Sequence, residues 1–400
     1  MKNMVYIQSG GPTSVINTSL YGAIKEARLH KDEIDNIYGS LHGIEGLIDD
    51  DLIDINKEDE KQIELLLQTP GAILGTTRRK LPKDVHDPIY LKIVENLNKH
   101  QIKYVFINGG NDSMDTCDKL AYLVKELKLD ITVIGVPKTI DNDLACTDHS
   151  LGFPSAAKFV VNAVNFLSKD CQCFKKGKVT IVEIMGRHVG WLSASVDLLP
   201  EDTRPHLIYV PEHEFDLDKF LNDVHEVYEK HQCALVALSE GIVFPRDEVN
   251  AKLDAFGHVQ LGGAAHDLCE IIEKKFGYGT RAIELSLTQR AFSPLISKVD
   301  QDEAIQTGRE AVKAALAKQN GKMVVFKRVS NHPYKINYEL ADVSLVANAE
   351  SRITKEMICD NTRMSEVYRE YLRPLIEGEV NVEYSHGIAL ESCFKYVKVK

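Results

Sequence analysis

Five times along this chain a short apolar run ends in a glycine-containing turn or closes on one, with a helix-like stretch beside it. "MVYIQSGG" leads to "SVINTSLYGAIKEARLH", and "YVFINGG" leads to "SMDTCDKLAYLVKELK". "ITVIGV" leads to "PKTIDNDLACT", and "VTIVEIMG" to "RHVGWLSASVDLL". "CALVALSEG" closes a strand after the helix-like "DLDKFLNDVHEVYEKH". Strands with several consecutive apolar residues are buried on both faces, and their alternation with helices predicts an α/β architecture with parallel sheets. Ligands in such sheets bind outside the carboxyl ends of the strands. The glycine turns all belong to that edge, so they are expected to converge on one cleft.

The length, 400 residues, suits two domains. The formal net charge of −11 argues against a protein whose main task is gripping nucleic acid. It leaves room for a small anionic substrate, because a local basic pocket can sit on an acidic body. Eight cysteines are scattered without CxxC or zinc-site spacing, which reads as reduced thiols in a cytoplasmic protein. No signal-peptide pattern is found in "MKNMVYIQSGG", and no apolar run approaches the ~18 residues of a membrane helix. The acidic stretch "DDDLIDINKEDEK" lacks the mid-loop glycine of a calcium loop and reads as solvated surface. Near the C-terminus "TKEMICDNTRMSEVYREYLRPLI" looks helical, and "VNVEYSHGIALESCFKYVKVK" looks like a mixed, partly stranded tail.

Neither GxxxxGK[ST] nor a GxGxxG between strand and helix is present, which sets aside the P-loop and the dinucleotide fingerprint. Other stretches carry chemistry. Gly10 and Gly11 in "SGGPTSVIN" suit an anion on backbone N–H groups, or form only a tight turn with a capping residue. "GTTRRK" sets Arg78 and Arg79 after a turn, as phosphate forks or as a solvated basic loop. In "INGGNDSMD" two glycines offer a phosphate cradle, yet Asp112 brings a carboxylate into it. "PKTIDND" holds Asp141 and Asp143 two apart, and a strand end would point both the same way. One suits a general base on a hydroxyl and the other suits metal binding or orientation of the first, with an Asx-rich turn as the plain alternative. Beyond these, "MGRHVGW" offers Arg187 and His188, "SEG" offers Glu240, and "YGTR" with "TQR" offer Tyr278, Arg281 and Arg290. A strand-end Arg or Glu can equally pair with another charge, and His188 reads as a surface or packing residue.

Taken in order, "SGGPTSVIN", "LGTTRR", "GGNDS", "PKTIDND", "VEIMGRHVGW", "SEG" and "RAIELSLTQR" resemble the phosphofructokinase family, more closely its pyrophosphate-dependent branch. The matches cover about residues 5–290. The resemblance implies two Rossmann-like three-layer α/β domains facing across a cleft. Residues 1–150 with about 291–350 would form the donor domain, and 151–290 with about 351–400 the fructose 6-phosphate domain. It implies reversible phosphoryl transfer to the 1-hydroxyl of fructose 6-phosphate, with Mg²⁺ as cofactor. Asp141 would be the base, flanked by Thr139, Ile140 and Asp143; Gly11, Arg78, Gly110 and Ser113 would hold the donor. Met185, Gly186 and Arg187 would line the sugar-phosphate site, Glu240 would accept from sugar hydroxyls, and Tyr278, Arg281 and Arg290 would take the sugar and its 6-phosphate.

The donor is read from Asp112 and Lys138. ATP-dependent relatives carry glycine where Asp112 stands, which leaves room for the nucleotide α-phosphate, and many carry glycine where Lys138 stands. Asp112 closes the nucleotide route while Lys138 supports a small donor. Three positions depart from the better-known pattern. Asn111 stands where a Mg²⁺-linked aspartate is usual, and an amide oxygen holds the ion only weakly. Lys178 stands where an arginine reaches across a subunit interface to the 6-phosphate, so a homodimer or homotetramer is expected. Leu287 replaces a sugar-contacting histidine. The alternatives are an ATP-dependent 6-phosphofructokinase and a non-catalytic sugar-phosphate-binding regulatory subunit.

Overall fold

The computed structural model describes residues 2–245, 262–347, 349–360 and 362–400. In chain order the first part runs β1 (Asn3–Gln8), α1 (Ile16–Ala27), β2 (Ile37–Ser40), α2 (Ile44–Ile48), β3 (Leu52–Asp54), α3 (Glu60–Glu64), α4 (Pro88–Lys99), β4 (Ile102–Gly109), α5 (Asn111–Glu126) and β5 (Thr132–Pro137). The middle runs α6 (Phe153–Cys171), β6 (Val179–Ile184), α7 (Trp191–Ala194), β7 (Leu207–Tyr209), α8 (Leu217–His231), β8 (Ala234–Ser239), α9 (Ala264–Phe276) and β9 (Thr280–Glu284). The last part runs α10 (Lys298–Leu316), β10 (Lys322–Asn331), β11 (Tyr334–Asp342), α11 (Val343–Val346), β12 (Ile358–Asp360), β13 (Arg363–Met364), α12 (Glu366–Leu372), β14 (Tyr384–Ser385) and β15 (Ile388–Ala389).

These strands form two large sheets. The first has seven strands in the order β11-β10-β5-β4-β1-β2-β3, and the second four in the order β7-β8-β6-β9. The second is parallel throughout. The first is parallel at its centre and antiparallel only at its two edge pairs, β10–β11 and β2–β3. The α/β expectation therefore holds, and for the expected reason: β1, β5, β6 and β8 are buried along their whole length. Helices pack on both faces, so alternate residues of one strand enter different cores. Val5 and Ile7 join α4 and α5, while Met4 and Tyr6 join α1 and α10.

Helices α1 and α10 touch backbone to backbone. A Cβ on Gly22 would stand 2.0 Å from the Ile305 carbonyl oxygen, and one on Gly308 would stand 2.1 Å from that of Ser19. Helix α10 carries the chain from the second sheet back to the first, and this contact fixes α1, whose preceding loop, Gly10 to Pro12, lines the cleft.

Four local expectations are corrected. "PKTIDNDLACT" is not helical, because its Asn, Asp and Thr side chains bond to nearby backbone instead. Thr139 Oγ1 accepts from Asp141 N, and Asn142 Oδ1 accepts from Ser150 N. Since β5 ends at Pro137, Asp141 and Asp143 lie in this turn and not on a strand end. "RHVGWLSASVDLL" gives only the one-turn α7 and a 3₁₀ turn. The C-terminal "helix" is a β12–β13 hairpin followed by the seven-residue α12, which passes into a 3₁₀ turn containing Pro374. The tail then returns to the first sheet. Val399 N donates to Leu52 O, Val397 O accepts from Asp54 N, and Phe394 is buried beside Ile53 and Ile73. Among the described residues no helix is long and apolar enough to cross a membrane.

Candidate active site

The carboxyl ends of five strands meet at one cleft. After β1 come Gly10, Gly11 and Pro12; after β4, Gly110, Asn111, Asp112 and Ser113; after β5, Lys138 to Asp141 and Asp143. The second sheet contributes Met185 and Arg187 after β6 and Glu240 after β8, while Arg78 and Arg290 enter from loops. Most of the sequence-derived site therefore assembles within one chain.

At the donor end the two glycine turns come close together. A Cβ on Gly109 would stand 2.1 Å from Ser113 Oγ, and one on Gly11 would stand 2.6 Å from an Arg290 guanidinium nitrogen. Glycine is thus required for the turn to pass and for Arg290 to lie over Gly11. Thr76 Oγ1 donates to Gly10 O at 2.7 Å, which ties the Arg78 loop to the first turn. Lys138 is 2% exposed. Its ammonium donates to the carbonyls of Ser9 at 2.9 Å and Gly11 at 2.6 Å. Burial, and after it the nearby Arg290, push its pKa down to about 7. A polyanion in this cleft would favour the charged ammonium.

Asp112 sits in the first turn of α5, where backbone N–H groups and the helix dipole favour a negative charge. Lys80 lies 3.1 Å from its carboxylate. The acid that looks misplaced in a phosphate cradle is therefore doubly stabilised there, and it occupies the positive helix end that an anion would otherwise use.

The acid turn lies opposite. Burial raises the Asp141 pKa above the ordinary carboxylate range; the charge of Glu240 adds to this, and Arg187 and Arg290 oppose it. Burial, then repulsion by Asp141, raises Asp143 likewise. Asn111 Nδ2 donates to Asp143 Oδ2 at 3.3 Å. The remaining oxygens, Asn111 Oδ1 and Asp143 Oδ1, are buried and lack a hydrogen-bond partner. Two orphan oxygens on a hydrogen-bonded pair that lines the cleft fit a hard cation. Among the described residues no cluster of three His, Cys, Asp or Glu could hold a metal alone, so other ligands would have to come from substrate and water.

The sugar side is built on a strained turn. Arg187 has φ +52°, and a Cβ on Gly241 would overlap the Arg187 carbonyl. Glu240 Oε1 accepts from the N–H groups of Gly186 at 3.1 Å and Arg187 at 3.0 Å. Gln289 Oε1 accepts from Met185 N at 3.2 Å. One oxygen of Glu240 is thus committed to holding the turn. His188 is exposed, as read from the sequence.

Lys178, Tyr278 and Arg281 are not brought to this cleft. They stand at the amino ends of β6 and β9, where Val179 pairs with Thr280, whereas Arg187 lies beyond the carboxyl end of β6. Six strand residues separate the two edges by ~20 Å. Tyr278 Oη donates to Glu229 at 2.7 Å, and Arg281 pairs with Asp170 at 3.1 Å. Leu287 is 58% exposed and does not line the cleft. Lys80 and Gln289 are the reverse case: both act at the site, yet sequence reasoning passed over them. Each stands inside a quoted motif, beside an arginine that drew the attention.

Four cations, Arg78, Lys138, Arg187 and Arg290, sharing one cleft of two α/β sheets with a half-buried carboxylate pair define a protein that handles phosphoryl groups. The chain belongs to the phosphofructokinase family, which residues 3–315 match. It is 39% identical over 398 residues to the pyrophosphate–fructose 6-phosphate 1-phosphotransferase of Halomonas elongata, covering 96% of this chain and 94% of that one. The protein of the same description from Methylococcus capsulatus is 35% identical, with 97% and 94% covered. The crystal structure of a pyrophosphate-dependent phosphofructokinase from Marinobacter aquaeolei superposes with a TM-score of 0.90 at 34% identity, covering 100% of this chain and 98% of that one.

Proposed function

We propose that this chain transfers a phosphoryl group from pyrophosphate to the 1-hydroxyl of fructose 6-phosphate, reversibly, giving fructose 1,6-bisphosphate and phosphate. The observation that carries the choice of donor is Asp112 in the first turn of α5, held by Lys80 across from buried Lys138. A nucleotide would bring its α-phosphate against that carboxylate. A bare pyrophosphate ends short of it.

In the reaction the sugar O1 attacks the nearer phosphorus of pyrophosphate. The new O1–P bond forms as the bridging O–P bond breaks, and phosphate leaves with that bond pair. Asp141 accepts the hydroxyl proton; its raised basicity suits that task near neutral pH. Arg78, Lys138 and Arg290 neutralise charge on the transferring group and on the departing phosphate. Arg187, aimed by the turn that Glu240 holds, orients the sugar. Asn111 and Asp143 would hold Mg²⁺ through their orphan oxygens. When bound, that ion would supply charge neutralisation to the phosphoryl donor.

The two-domain division of the sequence reading goes with this proposal, with the tail beyond about residue 390 exchanged to the donor side. So does a cytoplasmic location. Lys178, Tyr278 and Arg281 serve the 6-phosphate only if their edge meets the cleft of a second copy, so that assignment requires the homodimer or homotetramer. Sedimentation of the active enzyme as a monomer would remove that assignment. The donor is tested by following fructose 1,6-bisphosphate formation with Mg²⁺ and pyrophosphate, ATP or ADP. Pyrophosphate alone is expected to support turnover, and ATP turnover without pyrophosphate would sink the reading. Retention of Asp141, Lys138 and Arg187 weighs against a non-catalytic regulatory subunit.

A further inference from the structure

The residue between the two acids fixes their turn. Asn142 has φ +59° and is 2% exposed. Its Oδ1 accepts from Ser150 N at 2.9 Å, and its Nδ2 donates to Tyr371 Oη at 3.0 Å. The same hydroxyl donates to the Asp148 carbonyl at 2.9 Å. Tyr371 belongs to α12, 229 residues further along the chain. One hydroxyl therefore ties a C-terminal helix both to the acid turn and to the segment that follows it.

The tyrosine is itself held from several sides. The Arg328 guanidinium lies 4.5 Å from its ring centroid, and the Trp191 ring lies 5.3 Å away. Arg328 donates to the Tyr371 carbonyl and to the Asp148 carboxylate, each at 2.7 Å. Asp148 in turn meets one nitrogen of buried His149 at 2.9 Å, and the other nitrogen meets Glu303 at 2.7 Å. Tyr334 Oη closes the set by donating to Glu303 at 2.7 Å. Neither Tyr371 nor any of these partners lines the cleft. A polar network so fully paired, with Asn142, His149, Glu303 and Tyr371 buried, keeps one arrangement.

We propose that Tyr371 is a positioning residue for the acid turn, acting through Asn142 to set the directions of Asp141 and Asp143. The alternative use of the same contacts is plain stabilisation of the fold. The two differ in what they predict for catalysis, because a small misplacement of a reacting group lowers turnover without weakening substrate binding. The inference rests on the reading of Asp141 as the base but not on the identity of the donor.

The test is a double-mutant cycle in the full-length enzyme with Tyr371→Phe and Asn142→Gly. Phenylalanine keeps the ring contacts, and glycine tolerates the positive φ. Tyr371→Phe is expected to lower kcat about tenfold, with KM for both substrates within about twofold. In the Asn142→Gly background it should cause no further loss. Tyr368→Phe serves as the control. Tyr368, also in α12 and buried, donates to the Trp191 carbonyl. Its loss is expected to lower Tm and leave kcat within about twofold. Unchanged kcat in Tyr371→Phe, a rise in KM alone, or losses that multiply across the cycle would overturn the proposal. Should Tyr371→Phe fail to fold, Asn142→Gly alone must show the kcat loss at retained KM. If the wild-type enzyme proves to use ATP, the same ratios are read with ATP, so failure of the donor reading and failure of this inference remain separate results.

Discussion

Asp141→Asn is expected to lower kcat by roughly 10²- to 10⁴-fold, the range that a positioned general base contributes, with fructose 6-phosphate binding little changed. Asparagine keeps the shape and one acceptor oxygen but cannot take the proton. In the wild-type enzyme kcat should fall on the acid side at a pH above the ordinary carboxylate range, because burial and Glu240 raise this group. The variant should lose that limb. Stability supplies an independent readout with the opposite sense. A carboxyl whose folded pKa is raised stabilises the fold while protonated. That contribution is fully present below its ordinary value of 3.8 and is lost as pH rises through the folded value. Asp141→Asn should therefore gain Tm relative to wild type above the folded value and gain nothing in acid. Slow turnover joined to that pH-dependent Tm gain identifies a buried base. Near-normal turnover would refute the assignment, whatever the Tm.

The sheet-forming runs were legible because burial on both faces leaves one kind of trace, consecutive apolar residues, and β1, β4, β5, β6 and β8 all carry it. The cleft was legible for a topological reason: parallel strands put every following turn on the same edge. What stayed hidden depended on partners distant in the chain. "PKTIDNDLACT" has helix-like spacing, but Asn142 is spoken for by Ser150 and by Tyr371, and no local pattern announces a bond across 229 residues. Lys178, Tyr278 and Arg281 were placed with the sugar by resemblance; strand direction puts them at the far edge of the same sheet. Glu240 was read for its charge toward substrate, whereas one of its oxygens holds the backbone of Gly186 and Arg187. Residue type was informative in each case; which neighbour the residue serves was set by packing.

Asp112→Gly is expected to raise the ratio of kcat/KM for ATP to that for pyrophosphate by about fivefold to nearly a thousandfold. The estimate follows from the ~1–4 kcal/mol that two unit charges exchange near 4 Å between bulk water and a protein surface. The fold should tolerate the change. The Lys80–Asp112 pair is 46% and 37% exposed at its side chains, so its loss costs no more than ~1 kcal/mol. Glycine in an exposed helical turn costs about another 1 kcal/mol. Removing the carboxylate returns the positive end of α5 to the cleft and leaves room for a further phosphate. Each of these changes favours a longer polyanion. The measurement is kcat/KM for both donors at fixed Mg²⁺, in variant and wild type. An unchanged ratio would mean that Asp112 does not select the donor, and the discrimination would then rest on Lys138, whose ammonium is tied to the Ser9 and Gly11 carbonyls.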